Sequence, residues 1–117
     1  MVIPNVNSIY SNAFQDCTNL KKIIIPKTVI FLGDEVFINC TNLQMVTYFG
    51  YKCPVYGESV FYGTDTNVAY VPTGYEDKNF SGLPIIYIPT ELFTMSSKFS
   101  ESSIFTQSNK FKSKIFT

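Results

Sequence analysis

The chain has 117 residues, 45% apolar and 15% charged, with nine lysines matched by nine acidic residues. That is material for one small domain with a core, and the charge balance argues against a global field for nucleic acid or a membrane surface. There is no His, Arg or Trp, which excludes Ser-His-Asp and Cys-His pairs, imidazole metal ligands and bidentate arginine clamps on phosphate.

No run of 18 apolar residues occurs, so no transmembrane helix is expected. The start, Met1-Val2-Ile3-Pro4-Asn5, has neither the charged nor the apolar region of a signal peptide. Neither leader nor membrane anchor is therefore expected in this chain. It begins inside a strand pattern, and an uncovered strand edge is a pairing hazard. Edge-to-edge self-association, or a covering partner, is the expectation there.

An internal repeat follows. Val6, Ile9, Ala13-Phe14, Cys17-Thr18-Asn19-Leu20, Ile23 and Ile25 recur at a constant offset as Val29, Leu32, Val36-Phe37, Cys40-Thr41-Asn42-Leu43, Val46 and Tyr48. Residues two apart share one face of a strand, so Ile23 and Ile25 point one way and Lys22 and Ile24 the other. Pro26 removes a ladder donor and ends the strand. Ala13-Phe14 and Val36-Phe37 are expected in a single helical or 3₁₀ turn. A third, degraded copy places Val60-Phe61 at the Val-Phe position and Ala69, Val71 and Pro72 in the strand. A fourth, shortened copy, Leu83-x-x-Ile86-x-Ile88-Pro89, matches Leu20-x-x-Ile23-x-Ile25-Pro26 and reads as a cap. No single rung can bury its own apolar face, whereas stacked rungs share one core.

The pattern Ile-Pro-x-x-Val-x-x-Ile-x-x-x-Ala-Phe-x-x-Cys-Thr-Asn-Leu-x-x-Ile-x-Ile-Pro resembles the BspA-type leucine-rich repeat over residues 1–89. That family has 23-residue rungs and occurs in surface proteins of mucosal bacteria and parasitic protists. The resemblance implies a leucine-rich-repeat solenoid, a right-handed superhelix of short parallel strands with turn or 3₁₀ segments, mostly β. It departs at Tyr10, where the second rung has Gly33, and in the third rung, which lacks Cys-Thr-Asn-Leu. Residues 1–92 are expected to form the array with its degenerate cap. Residues 93–117 form a low-complexity tail, with Phe93, Phe99, Phe105 and Phe111 six apart, ten Ser or Thr from 94 on, and four lysines against Glu101. Such a tail reads as disordered, or as a stalk or extra β rungs docked on the array.

Stacked rungs lie about 5 Å apart, so Cys17 and Cys40 are within disulfide reach. Two buried free thiols are expected instead, because the third cysteine, Cys53, makes the count odd. No cysteine spacing suits zinc. The adjacent acids Asp34-Glu35 and Glu76-Asp77 read as solvated turns, not as a pair facing each other across a cleft. Asn79-Phe80-Ser81 and Asn39-Cys40-Thr41 match the glycosylation acceptor, with Asn79 the better candidate because Asn39 precedes a buried cysteine.

The outward strand positions form two columns: Lys22, Met45, Val68, Ile85, and Ile24, Thr47, Tyr70, Tyr87. Six of the eight are apolar or aromatic, where a solvated strand would be polar. Two readings stay open: a protein-binding face with Tyr70 and Tyr87 as anchors, or residues that simply suit strands or lie under the tail phenylalanines. Four strands span only about 15 Å, so useful affinity would need repeated copies. The resemblance implies a non-enzymatic recognition or adhesion module, a surface antigen facing host matrix or cell-surface proteins, with no cofactor, metal or nucleic acid. The alternative is an intracellular scaffold on the same repeat, which suits the absent leader and unpaired cysteines.

Overall fold

The computed structural model describes residues 1–89; the expectations for the 93–117 tail lie outside the described residues. Among the described residues eight strands form: β1 (Ser8–Ile9), β2 (Lys22–Ile25), β3 (Phe31–Leu32), β4 (Met45–Tyr48), β5 (Val55–Tyr56), β6 (Ala69–Pro72), β7 (Asn79–Phe80) and β8 (Leu83–Ile88). They make two sheets, β2-β4-β6-β8-β7 and β1-β3-β5, parallel throughout except for β7 with β8. Each of the first three rungs contributes one strand to each sheet, joined by a turn segment that forms a third wall.

The repeat dictates the register. Lys22 faces Met45 and Ile25 faces Tyr48, one repeat apart, and Val46 faces Ala69 at the same offset. Between these, Phe31 faces Val55, an offset longer by one. The extra residue therefore enters in the loop after β4 and is compensated before β6. Ile23, Val46 and Ala69 stack in one fully buried column, with Ile25, Tyr48 and Val71 beside them. At the start, residues 1–3 pair with β2: the Ile3 N–H donates to Ile24 O at 3.0 Å and the Ile24 N–H to Met1 O at 2.9 Å. The edge of β2 is thus covered by the chain's own beginning.

The core between the sheets and the turn wall is organised by phenylalanine. Phe14, Phe37 and Phe61 stack with centroids 5.3 and 5.2 Å apart and planes within 12°. Phe80 closes the stack at 6.2 Å from Phe61 and 4.9 Å from Tyr48. Phe61 confirms that Val60-Phe61 is the degraded copy of the Val-Phe pair.

The turn wall differs from the helical or 3₁₀ turn expected for it: no helix of either kind forms among the described residues. Instead two positive-φ residues recur per rung: Asn12 and Asp16, then Glu35 and Asn39, then Ser59 and Gly63. The N–H groups then alternate in direction. Those of Ala13, Gln15 and Cys17 close local turns, while those of Asn12, Phe14 and Asp16 donate to Asp34, Val36 and Ile38 in the next rung at 2.9–3.0 Å. Glu35, Phe37 and Asn39 repeat the pattern onto Glu58, Val60 and Tyr62, each at 2.9 Å. A helix turns all its N–H groups along its own axis and could not stitch neighbouring rungs. Asn, Asp and Gly tolerate the left-handed conformation best, and four of these six positions carry them.

Close approach also explains the Tyr10/Gly33 difference. A Cβ on Gly33 would lie 2.5 Å from the Ser11 N of the rung below. Tyr10, in the first rung, has no turn segment below it among the described residues and is 75% exposed.

Phe37 has aromatic neighbours on both faces and no exposed surface. Phe37→Ala is expected to cost about 3–5 kcal/mol, read as a lowered urea midpoint. Gly33→Ala, whose Cβ meets backbone, is expected to destabilise the array, whereas Tyr10→Ala should leave the same midpoint within about 0.5 kcal/mol.

Candidate protein-binding face

The outer face of the larger sheet is built by alternation. With the residues of the Ile23 and Ile25 columns turned inward, Lys22, Met45 and Val68 form one outward column, each half-buried. The second column runs Val2, Ile24, Thr47, Tyr70 and Ile86. Its two ends are accessible and its middle is not, with Val2 37% exposed. Ile24 and Thr47 are buried at 2% and 3%, Tyr70 is half-buried and Ile86 is 44% exposed. Ile24 and Thr47, expected on an open surface, therefore offer almost no area to a partner. Ile24 lies between strand neighbours on both sides, Val2 and Thr47.

Ile85 and Tyr87 do not continue the two columns as expected. Ile85 faces Ala69 and Tyr87 faces Val71, both inward positions, so Ile86 takes the place assigned to Tyr87. The cause is the hairpin that precedes β8. Phe80 pairs with Leu83 across a two-residue turn in which Ser81 has φ 50° and Gly82 φ 91°, the geometry of a type I′ turn. That turn fixes the start of β8, and a one-residue slip moves every side chain to the opposite face. Ile85 packs partly on the core, while Tyr87, in the last parallel strand, stays 51% exposed. The Ser-Gly dipeptide between two apolar runs was the available signal for this hairpin, and it points to Ile86.

The three cysteines are free thiols. Cys40 is fully buried, donates to Phe14 O at 3.0 Å and has its thiol pKa pushed up chiefly by burial. Cys17 is exposed, contrary to the expected pair of buried thiols. It sits in the first rung, with no turn segment over it among the described residues. Cys53 is half-buried beside a cleft of about 440 Å³ between the start of β5 and residues 77–79. Its N–H donates to Asp77 Oδ2 at 2.6 Å, and its Sγ accepts from the Ser81 N–H at 3.4 Å. The Ser81 hydroxyl is buried with no hydrogen-bond partner among the described residues. No group of three Cys, Asp or Glu side chains converges among them either.

Of the two glycosylation candidates, both are exposed. Asn79 Oδ1 accepts from the Gly82 N–H at 3.2 Å and so buttresses the hairpin. Asn39 sits in the turn wall with φ 60°.

Beneath the face, Tyr48 donates to Val29 O at 3.1 Å and Tyr75 to Asn79 O at 2.8 Å. Burial raises both phenol pKa values, that of Tyr75 far above the ordinary range with a further push from Cys53. The unfolded chain ionises these phenols near pH ~10 while the folded chain keeps its protons. The unfolded state then binds fewer protons, so stability falls as pH rises past about 10. Urea midpoints on either side of that pH are expected to show the loss, and the Tyr48→Phe/Tyr75→Phe chain should show less of it.

A family model described as the BspA type leucine rich repeat region, in six copies, matches residues 1–117. No curated protein and no solved structure matches the chain.

Proposed function

The chain belongs to the BspA-type leucine-rich repeat family, and on that premise we propose that it is a short solenoid that binds proteins through its strand face and serves as an adhesion or recognition module at a cell surface. Leucine-rich repeats of this kind are in general non-enzymatic interaction modules. The observation that carries the reading is the exposed apolar end of the second column. Tyr70 and Ile86 are neighbours in register on β6 and β8, Tyr70 half-buried and Ile86 44% exposed. Half-buried Val68, two residues before Tyr70, borders this patch, and Met45 and Lys22 continue the first column away from it. An aromatic-aliphatic pair exposed together is what a small interface anchor needs.

The patch is small against the roughly 800 Å² per partner of a stable complex. Binding through one copy is weak, and display of many copies raises it by avidity. Host matrix and cell-surface proteins are the partner class proposed. The free thiols favour a second reading, an intracellular scaffold using the same face, since thiols persist unpaired in reducing compartments.

Beads coated with the chain should adhere to matrix proteins, and Tyr70→Ser/Ile86→Ser should lower adhesion by about tenfold or more. Tyr62→Ser, exposed on the turn wall, should not. Equal adhesion by the double variant would move the site off the strand face. Antibody labelling of intact against permeabilised source cells separates the two settings: labelling of intact cells supports adhesion, and labelling only after permeabilisation supports the scaffold.

A further inference from the structure

The bonds that stitch the turn wall all have one sense. The Asn12, Phe14 and Asp16 N–H groups donate to Asp34, Val36 and Ile38 O, and those of Glu35, Phe37 and Asn39 donate to Glu58, Val60 and Tyr62 O. A wall segment therefore sends a row of donors to one side and a row of acceptors to the other. In the third rung the counterparts of the donors are Ser59, Phe61 and Gly63. The phenylalanine stack aligns them, and Ser59 and Gly63 repeat the pair of positive φ values, 55° and 79°. None of these three N–H groups has an acceptor among the described residues. Among those residues the chain passes from β6 into the β7–β8 hairpin and lays no fourth segment on the wall.

The opposite side of the same wall is the complement. One repeat before Asp34, Val36 and Ile38 stand Ser11, Ala13 and Gln15. None of their carbonyls accepts a hydrogen bond among the described residues. The side chains agree. Val36 and Val60 are buried at 0% and 3%, whereas their first-rung counterpart Ala13 is exposed. Phe37 is fully buried, and Phe14 and Phe61 on either side of it are half-buried. A strand edge cannot fill the donor row, because it carries N–H and C=O groups together and would set donor against donor. The row fits a backbone that presents acceptors alone at every second residue, and this chain displays such a backbone on its own first rung.

We propose that the third-rung end of the turn wall docks the first-rung end of a second copy of this chain. The Ser59, Phe61 and Gly63 N–H groups of one copy donate to Ser11, Ala13 and Gln15 O of the other. The pairing repeats between molecules the bonds that join the first and second rungs within one. The contact is head to tail, so each copy keeps one unused row and further copies add in line. The hairpin stands beside the stack at this level, with the Phe80 ring 6.2 Å from Phe61, so the contact is confined to the turn wall. It falls short of the roughly 800 Å² per partner of a stable complex. Association is therefore weak, with a dissociation constant of about 0.1–1 mM, and it matters where copies are crowded together.

NMR amide shifts of the full chain test the proposal. Between about 0.05 and 1 mM the Ser59, Phe61 and Gly63 amides are expected to shift with concentration. Those of Phe37 and Asn39, already bonded within the wall, should stay fixed. Ala13→Glu puts a charge into the acceptor row and leaves the donor row intact. Isotope-labelled Ala13→Glu chain alone is expected to show a shift about tenfold smaller over the same range. Its Ser59, Phe61 and Gly63 amides should move when unlabelled unaltered chain is added, because that chain brings an intact acceptor row. Concentration-independent shifts in the unaltered chain overturn the proposal. So does an Ala13→Glu chain that self-associates as strongly, or one whose three amides ignore the added chain. Should the variant fail to fold, the unaltered chain decides: intermolecular NOEs from the three amide protons to residues 11–15 at about 1 mM support docking, and their absence overturns it.

Discussion

Hydrogen-bonded strands lie about 4.8 Å apart, and this one spacing governs the molecule. With each rung held at that distance from the next, every side chain rests on its own counterpart one repeat away. Flat rings fit such a column, which is why Phe14, Phe37 and Phe61 stack at 5.2–5.3 Å, close to the backbone spacing. Where two backbones must come nearer than a Cβ permits, the sequence has Gly33 against Ser11. The spacing also explains why the turn wall forgoes helix. A local helix would satisfy its own N–H groups and leave the walls unstitched, so recurring residues adopt positive φ and every second donor crosses the gap.

The strands that obey the repeat were legible from the amino-acid sequence alone. One constant offset fixes β2 against β4 and β4 against β6, and it survives the compensated insertion around β5. Two parts were not legible. The turn wall resembles a helical turn in composition, and only the recurring Asn, Asp and Gly mark left-handed positions. The fourth rung matches its predecessors letter by letter as Leu83-x-x-Ile86-x-Ile88-Pro89, yet the Ser81-Gly82 turn outweighs that match and shifts the strand by one residue. Local turn chemistry decided the register there, and with it which of Ile86 and Tyr87 joins Tyr70.

The outer face shows how burial and repetition divide between stability and recognition. Ile24 and Thr47 lie in the middle of the sheet and are buried. Tyr70 and Ile86, nearer the end where the pattern is least regular, keep accessible surface. Membership of the leucine-rich repeat family accounts for the regular part of the described chain, while its individual character lies in the irregular fourth rung.

The stitching of the turn wall carries an electrical consequence. In the parallel sheets each strand both gives to and takes from its neighbour, so their peptide dipoles largely cancel along the stacking direction. In the turn wall all six inter-rung bonds run from an earlier N–H to a later carbonyl. Their dipoles therefore add, as they do in a helix, and the wall has poles: carbonyl oxygens face outward at the first rung and amide hydrogens at the third. Each added repeat of this kind would lengthen the polarised wall without reversing its sense.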